Sequence, residues 1–485
     1  MFDISKLIEI EIKPALGVTE PVAVGYATSL AYNAILGRVP AWLKGKIPIG
    51  YVTDIQQEDI QINTIEVAVD RGTFKNALAV GIPRSGGQKG MIIAAAMGVF
   101  CFPEAEGKEM TLFETLQPQD LSKAKTLAEK VKVRLIEGWE EGEDIEIKAS
   151  IEAKHKRLPT RTIRGTASIE KGHSNVTSIT VSDSLGRVRE FPSERKPESY
   201  KNNDSVKDRL KRMKISEIVT AVETLPSDVM EKMIEMMEMN IAISEEGLKG
   251  TKGLGIGAKL NNLVKEGYLG DDLTSSAQIM VASAADARMG GANYPVMSCA
   301  GSGNHGIACS LPIIAVAQKN GYDVKRLLDK RRSGQISKGD EKKLNKLVKA
   351  LALSALVTCY VTYHTNYLSA FCGCAVKAGL GATAGIAYFL TQSSDKVEMA
   401  IQNMAGNIPG LICDGAKDGC SLKLTTSASV AIQSALLATK GIQVAADNGI
   451  VAEKVEDTIQ NIGRISQAMV NTDTMIVSIM VDKSR

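Results

Sequence analysis

The sequence predicts an α+β fold: an N-terminal mixed α/β domain with antiparallel strands, then an all-helical C-terminal domain. Three observations predict it. From residue 48 to residue 182, several stretches alternate apolar and polar side chains with the period of half-buried strands. After Val206 the apolar spacing turns helical and stays so to the end, broken by glycine-rich loops. Between the two regimes, Pro192 to Val206 is polar and holds two prolines, the composition of a linker. The expected division is residues 1–195, a connector at 196–206, and 207–485. A chain of 485 residues is long enough for two full cores.

Taken in order, Ser5 to about Gly37 reads as helix interrupted at Pro14–Gly17, because Pro14 cannot donate a backbone hydrogen bond and Gly17 permits a turn. A second helix should start at Thr19-Glu20-Pro21, with Thr19 as N-cap and Pro21 in the first turn. Ile60–Val69 reads as strand. Lys75–Pro83 reads as a further apolar strand running through the turn Arg84–Gly90 into a helix from Met91. Such a strand, glycine turn and helix N-terminus can hold an anion, although the spacing fits neither a P-loop nor a dinucleotide fingerprint. Leu121–Gly138 reads as helix. Ile145–Glu152, Thr160–Glu170 and Ser174–Ser182 read as strands, with a hairpin turn at Lys171-Gly172-His173. Beyond the linker, the charged run Lys325–Lys349 suggests a solvated helical hairpin. Ala350–Ala375 carries no charge, yet its threonines, tyrosines and His364 suit a helix buried in protein better than one facing lipid.

Composition narrows the function. The chain is 44% hydrophobic and 23% charged, with a formal net charge of +3 spread along its length. Basic residues do not cluster, and aromatics make up only 4%, so nothing points to nucleic acid. Met1–Ile12 lacks a basic region and a cleavage site, so a cytoplasmic protein is expected, with no membrane association. The eight cysteines are then expected to be reduced. Cys101, Cys299, Cys309 and Cys359 read singly as buried small hydrophobes.

The chemistry gathers in a few segments. Cys413 and Cys420 flank a short loop with two glycines, able to turn both sulfurs to one centre. A thiolate there would be stabilised by Lys417 or by a metal. Cys372-Gly373-Cys374 upstream can supply a third sulfur, giving a three-thiolate site that joins the two segments. The spacing Cys-x6-Cys is unlike that of zinc sites, and zinc and an iron–sulfur cluster both remain open at this point. Asp286–Gly291 followed by Ser298–Gly306 is a candidate anion site. Arg288 could form a bidentate pair with a carboxylate, Ser302 and Asn304 add donors, glycines such as Gly303 let backbone amides approach, and the apolar helix that follows from Ile307 presents its positive end. The alternative is a tight turn with Arg288 paired to Asp286. Of four histidines, His173 and His305 sit in glycine-flanked turns and are the acid/base candidates. His155 reads as exposed on a strand edge and His364 as a satisfied core residue.

These motifs together resemble the L-cysteine desulfidase family, which is related to the iron–sulfur L-serine dehydratases. The resemblance covers nearly the whole chain. It rests on Lys13–Gly17 with Thr19-Glu20-Pro21, Lys75-Asn76, Gly172–Asn175, Ser244–Gly250, Asp286–Gly291, Gly301–Gly306, Leu368–Cys372 and the Cys413–Cys420 loop. It implies a [4Fe–4S] cluster on Cys372, Cys413 and Cys420, carried by the helical domain, with Cys374 as a competing neighbour. It implies β-elimination from a small amino acid, giving pyruvate, ammonia and sulfide or water. It also adds Lys75 to the catalytic candidates, and Thr19, Glu20, Asn76 and Asn175 to the substrate-binding ones. In one respect the chain departs from the pattern: Val18 stands where the family usually has Cys. That leaves two alternatives, a serine dehydratase-like enzyme of another small hydroxy or thiol acid, and an inactive cluster-bearing binding or sensing protein. A homodimer is the default expectation for such a chain.

Overall fold

The computed structural model describes residues 2–43, 55–136, 145–158, 160–184, 186, 188–190 and 206–484. The fold is α+β, with the strands gathered in the N-terminal part and a helical C-terminal region. The expected connector at 196–206 lies outside the described residues except for Val206.

Helix α1 (Ile4–Glu11) leads to the short strand β1 (Pro14–Leu16). This strand pairs antiparallel with β8 (Pro295–Met297), so the start of the chain is stitched to the helical region. Helix α2 (Thr19–Ile35) begins as expected, but Val18 is its N-cap and no side chain caps it. Thr19 lies inside the first turn, and its hydroxyl is instead turned to Glu20 (3.0 Å). Every residue of α2 is buried, which suits its nearly charge-free sequence.

A six-stranded sheet follows, in the order β3-β2-β4-β5-β6-β7. It contains β2 (Ile60–Val69), β3 (Val131–Leu135), β4 (Glu146–His155), β5 (Thr162–Glu170), β6 (Val176–Asp183) and β7 (Val188–Glu190). All neighbours are antiparallel except β2 and β3. Alternation along β4 and β5 buries one face under α2 and leaves the other partly wet, as antiparallel sheets allow. At Gly165 a Cβ would lie 2.1 Å from the Ala31 carbonyl oxygen, so α2 rests on bare β5 backbone.

Three sequence expectations need correction here. Lys75–Pro83 is no strand: α3 (Arg71–Ala77) is a helix capped by Asp70, whose carboxylate accepts from the Thr73 amide at 2.8 Å. The cap draws Lys75–Ala77 into helix, and residues 78–83 are irregular apart from an isolated bridge between Gly81 and Lys89. Leu121–Gly138 is not one helix. Helix α5 (Asp120–Ala128) stops and Val131–Leu135 joins the sheet edge, where alternating β-branched residues favour strand. Gly138 lies outside the described residues. His155 is buried rather than exposed, and its Nδ1 accepts from the Arg157 amide at 3.2 Å.

Helices α4 (Met91–Gly98), α6 (206–212 in its described part), α7 (Ile215–Ala221), α8 (Ser227–Leu248), α9 (Ile256–Lys265), α10 (Leu273–Met289), α11 (Gly303–Lys319), α12 (Val324–Arg332) and α13 (Lys338–Thr365) come next. They are followed by α14 (Gly373–Thr391), α15 (Ser394–Ala405), α16 (Cys420–Thr439), α17 (Val455–Ala468) and α18 (Val470–Ser484). Helices α13 and α14 are long and apolar enough to cross a membrane, but 83% of the most apolar window of each is buried within the protein. They form the centre of the helical core with α11 and α16. Residues of α1 join that core, while α2 and the sheet build a second one. The site lies where the two cores meet.

Candidate active site

The two cysteine segments are clipped together by backbone. Phe371 and Ile412 form an antiparallel bridge, the Cys372 amide donates to the Leu411 carbonyl (2.6 Å), and the Cys413 amide donates to the Ala370 carbonyl (2.7 Å). Cys372 is the N-cap of α14 and Cys420 the first residue of α16, so two sulfurs sit at positive helix ends, which favour thiolates. Of the adjacent pair Cys372 and Cys374, the Cys374 thiol and the Ala375 amide hold the charge on Cys372 and draw its thiol down. The same neighbour, with burial, drives Cys374 up. Burial and the nearby Cys372 push Cys420 up to about 12. The Lys417 ammonium pairs with Asp414 on the same loop, and its charge also favours the Cys420 thiolate, though less than burial opposes it.

Loop 413–420 rests on α3. Gly415 has φ +87°, and a Cβ there would lie 2.1 Å from the Lys75 carbonyl oxygen. Lys75 is buried and ion-paired with Asp473. Burial opposes its charge, but Cys413, Asp473 and Cys372 together raise its pKa, so it is a fixed cation.

All four thiols line one cavity of about 550 Å³. The candidate anion site, Arg288 with the start of α11, lines the same cavity. Arg288, in the last turn of α10, is buried and does not pair with Asp286; the Asp286 carboxylate accepts instead from the Gly257 amide at 3.0 Å. The Arg288 Nη1–H donates to Asn304 Oδ1 (3.0 Å), while its Nε–H is buried with no hydrogen-bond partner. A buried guanidinium with a free donor is costly unless a ligand completes it. Ser302, Asn304 and His305 reach the cavity from the start of α11. Gly303 does not line it, but forms the floor: a Cβ there would meet Arg288 Nε at 2.4 Å. His305 is buried, and burial with the neighbouring Lys377 and Arg288 cations holds it down at about 3, so its ring is neutral at ordinary pH.

A third group comes from the N-terminal part. Glu20 accepts from Asn76 Nδ2 (2.7 Å) and from the Thr19 hydroxyl, and lies 3.8 Å from His173 Nε2. Burial opposes its ionisation, but His173, its own backbone amide and Asn76 outweigh that and hold the carboxyl at about 2. The result is a permanently ionised carboxylate beside an imidazole that lines the cavity. Thr19, Glu20, Lys75, Asn76, His173, Arg288, Ser302, Asn304, His305, Cys372, Cys413 and Cys420 thus share one cavity. Asn175 does not join them; its amide donates to the Glu170 carbonyl (2.8 Å) and closes the β5–β6 hairpin. The turn 84–90 also lies elsewhere, with Gly81 packed against the Gly290–Gly291 backbone. His364 is half-buried outside the cavity, stacked on Tyr360 at 4.8 Å, with its Nε2 unpartnered rather than satisfied.

Comparison with known proteins now bears on this geometry. Residues 110–478, which carry the four thiols, Arg288 and both candidate histidines, match the family described as serine dehydratase alpha chain. The chain belongs to the serine dehydratase alpha chain family. It is 34% identical to a UPF0597 protein of Desulforapulum autotrophicum, over 99% of this chain and 98% of the relative. It is 34% identical to one of Alkaliphilus oremlandii (98% and 97%) and 33% to one of Clostridioides difficile (99% of each). Membership in a serine dehydratase family points to a lyase or dehydratase role on a small molecule.

Part of the cavity wall carries no motif. Glu11, Lys207, Tyr367 and Asp473 also line the cavity. Glu11 accepts from Tyr367 (2.5 Å), Tyr363 (2.9 Å) and Lys207 (3.1 Å), tying α1, α6 and the loop after α13 into one wall. A buried acid in the apolar stripe of α1 was the available signal for this cluster. Lys377 carried none. It is wholly buried on α14 and donates to the Asn366 (2.6 Å) and Tyr367 (3.1 Å) carbonyls.

Proposed function

We propose that the protein is an iron–sulfur-dependent lyase that eliminates the β-substituent of a small amino acid, with L-cysteine as first candidate and L-serine as second. The observation that carries this reading is that the thiols, the half-satisfied Arg288 and the Glu20–His173 pair all line one cavity. We also propose the division into domains at 1–195 and 207–485.

The donor set fits a cluster. Three thiols from Cys372, Cys413 and Cys420 converge, with Cys374 beside them and Lys75 and Lys423 as cations to balance their charge. Among the described residues, no three ligating side chains close to the spacing one metal ion requires. The cluster reading rests instead on the four thiols that line one cavity and on membership in the serine dehydratase alpha chain family. A [4Fe–4S] cluster held by three cysteines supplies an iron without a protein ligand, able to act as a Lewis acid.

The chain's own residues do the rest. Arg288 Nε–H and the first amides of α11 bind the substrate carboxylate. Ser302 and Asn304 orient it. His173, held by ionised Glu20, takes the α-proton, since neutral His305 is too weak a base for that task. The Cα–Cβ double bond forms as the bond from Cβ to sulfur or oxygen breaks, and the leaving group departs as sulfide or water. Released aminoacrylate tautomerises and hydrolyses to pyruvate and ammonia. Val18 is buried in the apolar core and offers no proton carrier, so this reading gives the role to His173.

Pyruvate release from L-cysteine and L-serine by anaerobically purified protein tests this reading. His173→Ala is expected to abolish turnover while His305→Ala lowers it less. Full turnover in His173→Ala would remove His173 as the base. Cluster without turnover of either amino acid would favour the binding or sensing alternative.

A further inference from the structure

Helix α18 differs from the other helices around the cavity. Among the described residues, the elements it packs on appreciably are α3 and α17. Ile476 and Val477 are buried beneath it, but Met475 is 62% and Ile479 46% exposed, and most of its other residues face solvent. Among the described residues, two polar ties join it to α3, both near its start. Asp473 pairs with Lys75 inside the cavity, and Arg71 Nη1–H donates to the Thr474 hydroxyl at 2.9 Å. The joint behind it is short. Met469 ends α17, and α18 begins at the next residue. Ser466 and Gln467, just before that joint, and Asp473, just after it, all line the cavity.

We propose that Asp473 is a positioning residue for Lys75, and that α18 is the movable wall of the cavity, turning about Met469 to admit the amino acid. This rests on the cavity being the active site. With α18 seated, Asp473 fixes the Lys75 ammonium beside Cys413 and shuts the α3 side. With α18 lifted, that ion pair and the Arg71–Thr474 bond are broken and the cavity opens between α3 and α17. Few buried apolar contacts and a largely solvent-facing surface are the features of segments that open locally without global unfolding. Hinges of this kind need only a few residues at an element's end.

Hydrogen exchange, read by mass spectrometry on anaerobically purified protein, tests this without relying on turnover. Amides of 470–484 are expected to exchange well before those of α13, α14 and α16. Asp473→Asn is expected to speed α18 exchange by about tenfold or more while leaving α13 and α14 unchanged, since one partly buried ion pair is lost. Asp473→Glu should restore most of the protection. Arg71→Ala, outside the cavity, should also speed α18 exchange. In steady-state assays Asp473→Asn should raise KM more than it lowers kcat. Exchange of α18 in step with the core helices, or no response to either substitution, would overturn the proposal. Local opening of α18 in a protein that turns over no amino acid would leave the moving wall standing and remove the lyase reading instead.

Discussion

In the proposed reading, Arg288 is the residue on which substrate recognition turns. It is buried, its Nη1 is committed to Asn304, and its Nε has no partner until a ligand arrives. A lysine would keep the charge but lose the planar fork that meets a carboxylate with two parallel bonds. Arg288→Lys is therefore expected to raise KM for the amino acid by about 10- to 100-fold, the worth of one charge-assisted hydrogen bond, with a smaller effect on kcat. Steady-state kinetics check this, and an unchanged KM would place the carboxylate elsewhere. Glu20 supplies a pH signature. Its pKa in the folded protein is about 2, below the ordinary carboxylate value of 4.5. The unfolded state therefore takes up the proton first as pH falls, so the stabilisation is full above the unfolded pKa and is lost as pH drops toward the folded one. The shift corresponds to about 3 kcal/mol. Glu20→Gln should cost much of that at neutral pH and flatten the acid limb of a stability profile measured by urea unfolding between about pH 5 and pH 2. A parallel, undiminished acid limb would show that other groups cause it.

At the scale of elements, loops and helix starts place the chemistry. The 413–420 loop seats on α3 because Gly415 adopts φ +87° and presents no side chain to the Lys75 carbonyl. Gly415→Ala would need both a strained φ and the displacement of rigid backbone, so a loss of about 2–4 kcal/mol is expected. Thermal unfolding and faster alkylation of Cys413 would report it, and native behaviour of both would show the loop can shift freely. These segments were legible in sequence because glycine, cysteine, arginine and histidine are rare outside special positions. The alternating strands β4 to β6 and the hairpin at 171–173 were legible for the same kind of reason. Period fails at the places where two structures share it. The run Lys75–Pro83 is apolar enough for a strand, yet the helix that Asp70 caps, Arg71–Ala77, runs into it. Val131–Leu135 follows α5 so closely that helix spacing masked the sheet edge it completes. Thr19 has the chemistry of an N-cap, but its hydroxyl is taken by Glu20 and by the cavity.

For the whole molecule, what matters is where two cores meet. The cavity draws Glu11 from α1, Glu20 from α2, Lys75 from α3, His173 from the β5–β6 turn, Arg288 from α10, and Asp473 from α18. Sequence motifs named the centres of this arrangement, because local chemistry marks them. They did not name Glu11, Lys207, Tyr367 or Asp473, whose roles come only from long-range packing that no local pattern encodes. The same packing brings Cys372 beside Cys413 through a two-strand clip, and Cys420 to them through the start of α16. The central claim is that these three thiols hold an iron–sulfur cluster facing Arg288. Iron and acid-labile sulfide, measured with a visible spectrum on protein purified without oxygen, test it most directly. A near-stoichiometric cluster, lost in Cys413→Ala and retained in Cys309→Ala, is the result expected. No iron after anaerobic reconstitution, or an undiminished cluster in Cys413→Ala, would contradict it.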